Sequence, residues 1–394
     1  MLKTIQLLKG KTDSIKRFHP WIFSGAISRM STDIKEGELV QVVDAERKFL
    51  AIGHFQHGSI AIRILSFTPC EINDEFWRQR LGEAWRLREA LGLTAQDAPG
   101  NIFRLIHGEG DRLPGLVIDV YGETAVMQAH SYGMHLVRNT IADVLLQISG
   151  GRIINVYYKS ETTLPHPEEQ LQKYGFLRGN CEDNVAVENG LKFHIDWLRG
   201  QKTGFFVDQR ENRRLLEQLA KGRRVLNMFC YTGGFSVYAL RGGATLVHSV
   251  DSSAKAIDLT NINVNLNFPD APHHEAFAED AFRFLEHTKT SYDLVILDPP
   301  AFAKHKSALH NALKGYTRLN AAAISRIEPG GIIFTFSCSQ AVSKEQFRLA
   351  IFTAAAQCGR HVRILYQLHQ PADHPINIFH PEGEYLKGLV LQVE

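Results

Sequence analysis

The chain has 394 residues, 44% hydrophobic and 22% charged, and 44 Lys and Arg face 42 Asp and Glu for a net charge of +2. That length suits two or three domains, and the composition is that of an ordinary globular protein without low-complexity segments or internal repeats. So small a net charge does not announce a nucleic-acid partner, although a local basic face would be enough for one. No apolar run reaches the length of a membrane span, so no membrane partner is expected. The start, MLKTIQLLKGKTDS, lacks the apolar core and small-residue cleavage site of a secretory leader, and a cytoplasmic location is expected. Cys70, Cys181, Cys230, Cys338 and Cys358 are odd in number and widely spaced, which fits a reducing compartment. With no C-x-x-C or H-x-x-x-H pair, no metal is expected.

In chain order, residues 1–72 read as a small β-rich domain. Leu39 to Val43, Phe49 to Phe55 and Ile60 to Leu65 are its strands, separated by Gly and Asp turns. Residues 1–68 carry ten Lys and Arg against six Asp and Glu. Lys9, Lys11, Lys16 and Arg17 precede the aromatic run Phe18 to Phe23. Basic residues beside flat rings suit RNA, where phosphates need charge and unpaired bases need stacking partners. Trp21 and Phe23 by themselves read as core.

Residues 73–184 read as an α+β middle domain. Asn73 is a good N-cap for a helix to about residue 93, with Trp77, Leu81, Ala84, Leu87 and Leu91 on its apolar stripe. Arg78, Arg80, Arg86 and Arg88 fall largely off that stripe and read as a solvated face. Ile102 to Ile106, Leu116 to Val120 and Thr124 to Ala129 read as antiparallel strands, Met134 to Ile148 as a helix, and Ile153 to Tyr158 as a strand. Glu109 and Asp111 read as turn residues, and residues 159–184 as an irregular connection.

The third domain spans 185–394. Val185 to Glu188 and Leu191 to Ile195 flank Asn189-Gly190, the dipeptide of a type I′ turn. Asp208 and Glu211 read as an acidic capping box for a helix to about Ala220, and Arg213 and Arg214 as its solvated face. The pattern then becomes that of a doubly wound α/β sheet. Val225 to Phe229 is a buried parallel strand, Tyr231 to Gly234 a turn, and Phe235 to Leu240 a helix. Leu246 to Val250 ends in Asp251, His274 to Ala278 near Asp280, Leu294 to Leu297 in Asp298, and Ile332 to Phe336 in Ser337-Cys338-Ser339. Ligands of such sheets bind at the carboxyl ends of the strands. The turn is neither G-x-G-x-x-G nor a phosphate-cradling loop, which leaves a nucleoside-sized cofactor without a pyrophosphate. Asp251 is placed for ribose hydroxyls and Asp280 for an adenine edge, the layout of S-adenosylmethionine binding.

GQKTGFFVDQR (residues 200–210), NMFCYTGGFSVYA, VDSS and LDPPAF together resemble the bacterial ribosomal RNA large subunit methyltransferase I family, over nearly the whole chain. The resemblance implies a C-terminal class I (Rossmann-like) methyltransferase domain. HPWIFSGAI followed by GELVQVVD looks like a PUA-type RNA-binding β-barrel. It also implies S-adenosylmethionine as cofactor, 23S ribosomal RNA as partner and 5-methylcytosine as product; a homodimer is left open. The implied cofactor site is Gln201, Phe229, Tyr231, Thr232, Gly233, Asp251, Ser252, Asp280 and Asp298. Lys202, Arg210, Pro299, Phe302, Lys11 and Arg17 would hold the RNA, and residues 201–206 would cover the cleft.

Cytosine C5 is a poor nucleophile until a thiolate adds to C6. Cys338, presented after an apolar strand, is the expected nucleophile, and Asp298 the acidic partner of the base edge. Cys230, inside the cofactor turn, reads as packing. Where related RNA enzymes carry a second cysteine this chain has Pro300-Ala301, so the base that takes the C5 proton is not identified; Lys304 and His305 read as solvated loop residues. Two other readings stand beside this one: a guanine-N7 methyltransferase, which would not need Cys338, and a non-catalytic RNA-binding or assembly protein.

Overall fold

The computed structural model describes residues 2–95, 97–164, 174–181, 184–303 and 305–394, so Lys304 lies outside it. The chain divides into two compact units. The first is Met1–Asn189 with Ile195–Val207 and Ala372–Gly383; the second is Gly190–His194 with Asp208–Pro371 and Glu384–Glu394. Among the described residues no helix is long and apolar enough to cross a membrane.

The first unit holds two sheets. One has six strands in the order Trp21–Phe23, Ile60–Ser66, Phe49–Phe55, Leu39–Val43, Lys3–Leu7 and Ile27–Arg29. Ile5, Leu7, Val40, Val42, Ile62 and Ile64 alternate inward to form its core. The short strands at 3–7, 21–23 and 27–29 were not apparent in the sequence. The Trp21–Phe23 strand corrects the reading of its rings as core. Ile22 is the inward residue, while Phe23 is 49% exposed.

The other sheet runs Tyr174–Arg178, Asn155–Lys159, Thr124–Ala129, Leu116–Tyr121, Ile102–His107. The first of these strands lies in what reads as an irregular connection. It is a partly exposed edge strand without apolar alternation, which is why the pattern hides it. The expected single helix from 134 is two, Tyr132–Leu136 and Arg138–Ile148, the first capped by Ser131 accepting from Met134 N.

Helix Asp74–Ala90 is capped as expected, Asn73 accepting from Phe76 N at 3.1 Å. Its buried face corrects the stripe. Arg80 and Arg88 are buried, while Leu87 and Leu91 are exposed. Arg88, 0% exposed, bonds both Asp111 oxygens at 2.5 and 2.9 Å and the carbonyls of Arg104 and Asp373 at 2.7 and 2.6 Å. Asp111 is therefore a buried counterion and not a simple turn residue. Glu109 likewise accepts from Trp21 Nε1 at 2.8 Å. Glu382 lies 3.6 Å from His19 and 3.8 Å from His380, a carboxylate–imidazole cluster that no sequence spacing announces.

The chain leaves the first unit at Asn189 and Gly190, whose φ values of 49° and 80° are the two positive values a type I′ turn needs. The second unit is a seven-stranded sheet. Its strands are β1 (Arg224–Met228), β2 (Leu246–Asp251), β3 (His274–Ala278), β4 (Leu294–Leu297), β5 (Gly331–Ser337), β6 (Val362–Leu368) and β7 (Lys387–Val393). The order is β3-β2-β1-β4-β5-β7-β6, with β7 antiparallel between β5 and β6. This is the class I arrangement that the resemblance implies. The helices are α1 (Arg210–Leu219), α2 (Gly234–Arg241), α3 (Ala254–Asn267), α4 (Ala281–His287), α5 (Leu309–Arg326) and α6 (Lys344–Cys358). Near-continuous apolar strands bury Leu226, Val250, Leu297 and Ile333 on one face against α4, α5 and α6.

Candidate active site

Reversal of strand order between β1 and β4 opens a crevice at their carboxyl ends, and the candidate residues collect there. After β1 the backbone turns sharply. Phe229 (φ 58°), Tyr231 (φ 48°) and Gly233 (φ 74°) all adopt left-handed conformations. Two of these are not glycine, a cost of order 1–3 kcal/mol each that surrounding bonds must hold. Tyr231 N donates to Asp251 Oδ2 at 3.0 Å and Cys230 N to Val250 O at 3.1 Å. From α3, Thr260 Oγ1 donates to Tyr231 O at 3.0 Å and Asn263 Nδ2 to Thr232 O at 2.8 Å. A Cβ on Gly233 would meet Thr260 Cγ2 at 2.7 Å, so only glycine closes the turn. Cys230 is buried against Thr260, and burial pushes its thiol up to about 12.

The donor set fits the nucleoside of S-adenosylmethionine. Asp251 ends β2 with Oδ1 on Ser253 N at 2.9 Å and Oδ2 on Tyr231 N at 3.0 Å. Each oxygen keeps a second lone pair for a ribose hydroxyl. Ser252 is exposed beside it. Asp280 caps α4, its Oδ1 accepting from Phe282 N and Arg283 N at 3.0 and 3.1 Å. Its acidic side chain at this end of the sheet thus has a local structural reason as well.

Asp298 follows β4 and Cys338 follows β5, and the two strands pair in parallel with Leu297 opposite Thr335. Burial, then Asp208, pushes the Asp298 carboxyl up to about 7, against a bond from Gln209 Nε2 at 3.0 Å and the charge of Arg213. Burial first, then Asp298 and Asp208, pushes the Cys338 thiol up to about 11, while Lys387 pulls it down. The neighbouring serines are fixed: Ser337 Oγ donates to Tyr316 Oη at 2.9 Å and Ser339 Oγ to Ala303 O at 2.6 Å. Pro299 is buried, and Phe302 packs against Tyr316 with ring centres 4.7 Å apart and the rings tilted by 40°.

The segment before α1 differs from its sequence reading. Val207–Gln209 is a 3-10 turn and α1 begins at Arg210 without a side-chain cap, so Asp208 makes no capping box. Instead Asp208 Oδ2 accepts from Tyr385 Oη at 2.6 Å, and Oδ1 is buried without a hydrogen-bond partner among the described residues. Gln209 is oriented by Asn212 Nδ2, 2.6 Å from its Oε1. Arg210, 6% exposed, reaches Glu211 at 3.1 Å. Arg213 is buried and lies 6.0 Å over the ring of Tyr238, which corrects its reading as solvated; Arg214 is exposed.

The second unit thus gathers Phe229, Tyr231, Thr232, Gly233, Asp251, Ser252, Asp280, Asp298, Pro299, Phe302, Cys338 and Arg210. Gln201 and Lys202 belong to the first unit and are exposed, as are Lys11 and Arg17. Asp208, Tyr385 and Lys387 are the site residues the sequence reading missed. The one available signal was a lysine opening a mostly apolar strand, KGLVLQV.

Residues 171–377 match the family described as S-adenosylmethionine-dependent methyltransferase, and residues 5–67 the PUA-like domain. The chain is 39% identical over 400 residues to the Ribosomal RNA large subunit methyltransferase I of Tolumonas auensis, covering 100% of both. It is 38% identical over 394 residues to the protein of the same name from Escherichia coli, covering 98% of each. Among solved structures it resembles a putative SAM-dependent methyltransferase from Streptococcus mutans, with a TM-score of 0.84 at 21% identity over 100% of both chains. A putative methyltransferase solved in complex with SAH has a TM-score of 0.85 at 22% identity, also over 100% of both chains.

Proposed function

The chain belongs to the ribosomal RNA large subunit methyltransferase I family, and from that premise we propose that it makes 5-methylcytosine in 23S ribosomal RNA through a covalent bond from Cys338 to C6 of the base. The observation that carries the cytosine reading is a thiol and a carboxyl at the ends of paired strands β5 and β4. When bound, S-adenosylmethionine supplies an electrophilic methyl group. Phe229 to Gly233 and Asp251 hold its nucleoside. The target base is extruded into the crevice, because a stacked base cannot bring C6 to a buried thiol.

Cys338 is a thiol at rest, and its addition moves one proton from Sγ to N3 of the ring as the S–C6 bond forms. Asp298 carries that proton, since a carboxyl near 7 is both acceptor and donor at neutral pH. The C5–C6 electron pair, displaced towards C4, makes C5 the nucleophile that takes the methyl group. Loss of the C5 proton to a base then re-forms the C5–C6 double bond and expels Sγ, and the N3 proton returns through Asp298 to Sγ, restoring the thiol. Exposed Lys11, Arg17 and Lys202 contribute RNA affinity, while Arg210, 6% exposed, lines the crevice. Ribosomal RNA places the work in the cytoplasm.

The test is nucleoside mass spectrometry of ribosomal RNA from a strain lacking the gene, after incubation with the protein and S-adenosylmethionine. New 5-methylcytosine that requires Cys338 supports the reading. New 7-methylguanine, formed equally by Cys338→Ala, moves the chain to the guanine reading.

A further inference from the structure

Lys387 opens β7 directly opposite Ser337 of β5 and is only 6% exposed. Its Nζ donates to Ser339 O and to Tyr385 O, both at 2.7 Å. The nucleophile therefore sits between a residue that faces Lys387 across the ladder and one whose carbonyl Lys387 holds. A buried lysine is a costly choice in a strand whose other residues are apolar or glycine up to Gln392, and an aliphatic side chain would pack there without that penalty. What lysine adds is a donor and a charge. We propose that Lys387 is a positioning residue for Cys338, its ammonium group fixing the Ser337–Ser339 turn and supplying the positive charge against which the thiolate forms.

The charges around the pair make that role specific. Asp298 from the end of β4 and Asp208 from before α1 both oppose ionisation of Cys338, and Lys387 favours it. Tyr316 of α5 also feels Cys338 and stays protonated, pushed up to about 12 chiefly by burial. Lys387 in turn faces Cys338 and Glu384, which favour its charge, and Lys344 at the start of α6, which opposes it. Burial brings Lys387 down to about 8, so at neutral pH the ammonium form predominates. Two carboxylates push the thiol away from ionisation, and Lys387 partly offsets them.

The inference rests on the reading of Cys338 as nucleophile, and its test separates the two. The full chain, without RNA, is alkylated with iodoacetamide across pH, and the peptide containing Cys338 is followed by mass spectrometry; exposed Cys70 is the internal reference. Lys387→Gln keeps a hydrogen-bond donor and removes the charge, and Lys387→Arg keeps the charge. In Lys387→Gln alkylation of Cys338 at pH 7, where the ammonium form of native Lys387 predominates, should be about tenfold slower. Lys387→Arg should stay close to the native rate. A purely structural lysine gives the opposite sign in Lys387→Gln, because a loosened turn lets water reach the thiol and speeds alkylation. A rate at pH 7 that rises or does not change in Lys387→Gln overturns the proposal. Failure of native enzyme to form an adduct with 5-fluorocytosine RNA overturns the nucleophile reading instead.

Discussion

Two clusters of buried charge, one in each unit, are paired in opposite ways. In the first, Arg88 and Arg104 are each forked onto a carboxylate, Asp111 and Asp119, with two bonds apiece between 2.5 and 2.9 Å. Thr203 Oγ1 adds a bond to Asp119 at 2.6 Å, and two carbonyls complete Arg88. In the second, Asp208 and Asp298 act on the same thiol, one oxygen of Asp208 has no partner among the described residues, and Lys387 is held by two carbonyls. Complete pairing lets a buried charge stay charged and fixes a shape. Burial with incomplete pairing moves Asp298 and Lys387 towards neutral pH, where they exchange protons, which suits catalysis.

The largest break in this comparison should come from Cys338→Ala. Turnover on ribosomal RNA should fall by at least about 10³-fold, as loss of an essential nucleophile does, while the fold and cofactor affinity persist. A time course of methyl incorporation measures the first and calorimetry the second. Next is the structural pair. Arg88→Met strands Asp111 and should cost about 3–5 kcal/mol in urea unfolding. Adding Asp111→Leu should recover part of that loss, and a double variant worse than the single one would deny that the pair is the reason.

Asp251→Ala should weaken S-adenosylmethionine binding by about 1.5–3 kcal/mol through a lost bond to a charged group. Unchanged affinity in a titration would move the ribose elsewhere. Asp298 gives a pH-dependent effect of similar size. Its folded value, about 7, lies above its ordinary 3.8, so the folded state binds the extra proton between those limits. Asp298 therefore detracts from stability increasingly as pH rises from about 4 to 7. Asp298→Asn should gain about 2 kcal/mol relative to native at pH 8, less than the ~4 kcal/mol of a three-unit shift because the pocket relaxes, and little at pH 4. Thermal melts at both pH values show whether the gain has that sign. Smallest should be Lys11→Ala with Arg17→Ala, which lowers RNA affinity and flattens its salt dependence without touching turnover at saturating RNA. A salt slope identical to native would remove both residues from the RNA surface.

The parallel strands β1, β2, β4 and β5 of the second unit were legible because each is a largely apolar run ending in a motif, and Asp251, Asp298 and Cys338 could be placed from those ends alone. Local spacing also found the Asn73 cap and the Asn189-Gly190 turn. What it could not find was the burial of charged residues whose partners are remote. Arg88 reads as solvated because its neighbours in sequence say nothing of Asp373, 285 residues away. Lys387 lies 48 residues from Ser339, the carbonyl that explains it. Asp208 has the spacing of a capping residue, yet a tyrosine 177 residues on claims its carboxylate. Periodicity reports which face an average side chain prefers, and a paired charge overrides that preference.

The most direct measurement is covalent trapping. Ribosomal RNA carrying 5-fluorocytosine is incubated with the protein and S-adenosylmethionine, denatured, digested and mapped. Fluorine at C5 cannot leave as a proton does, so the account predicts a stable RNA adduct on the peptide containing Cys338, absent in Cys338→Ala and retained in Cys230→Ser. An adduct on another cysteine, or active methylation of the normal RNA with no adduct on the fluorinated one, would contradict it.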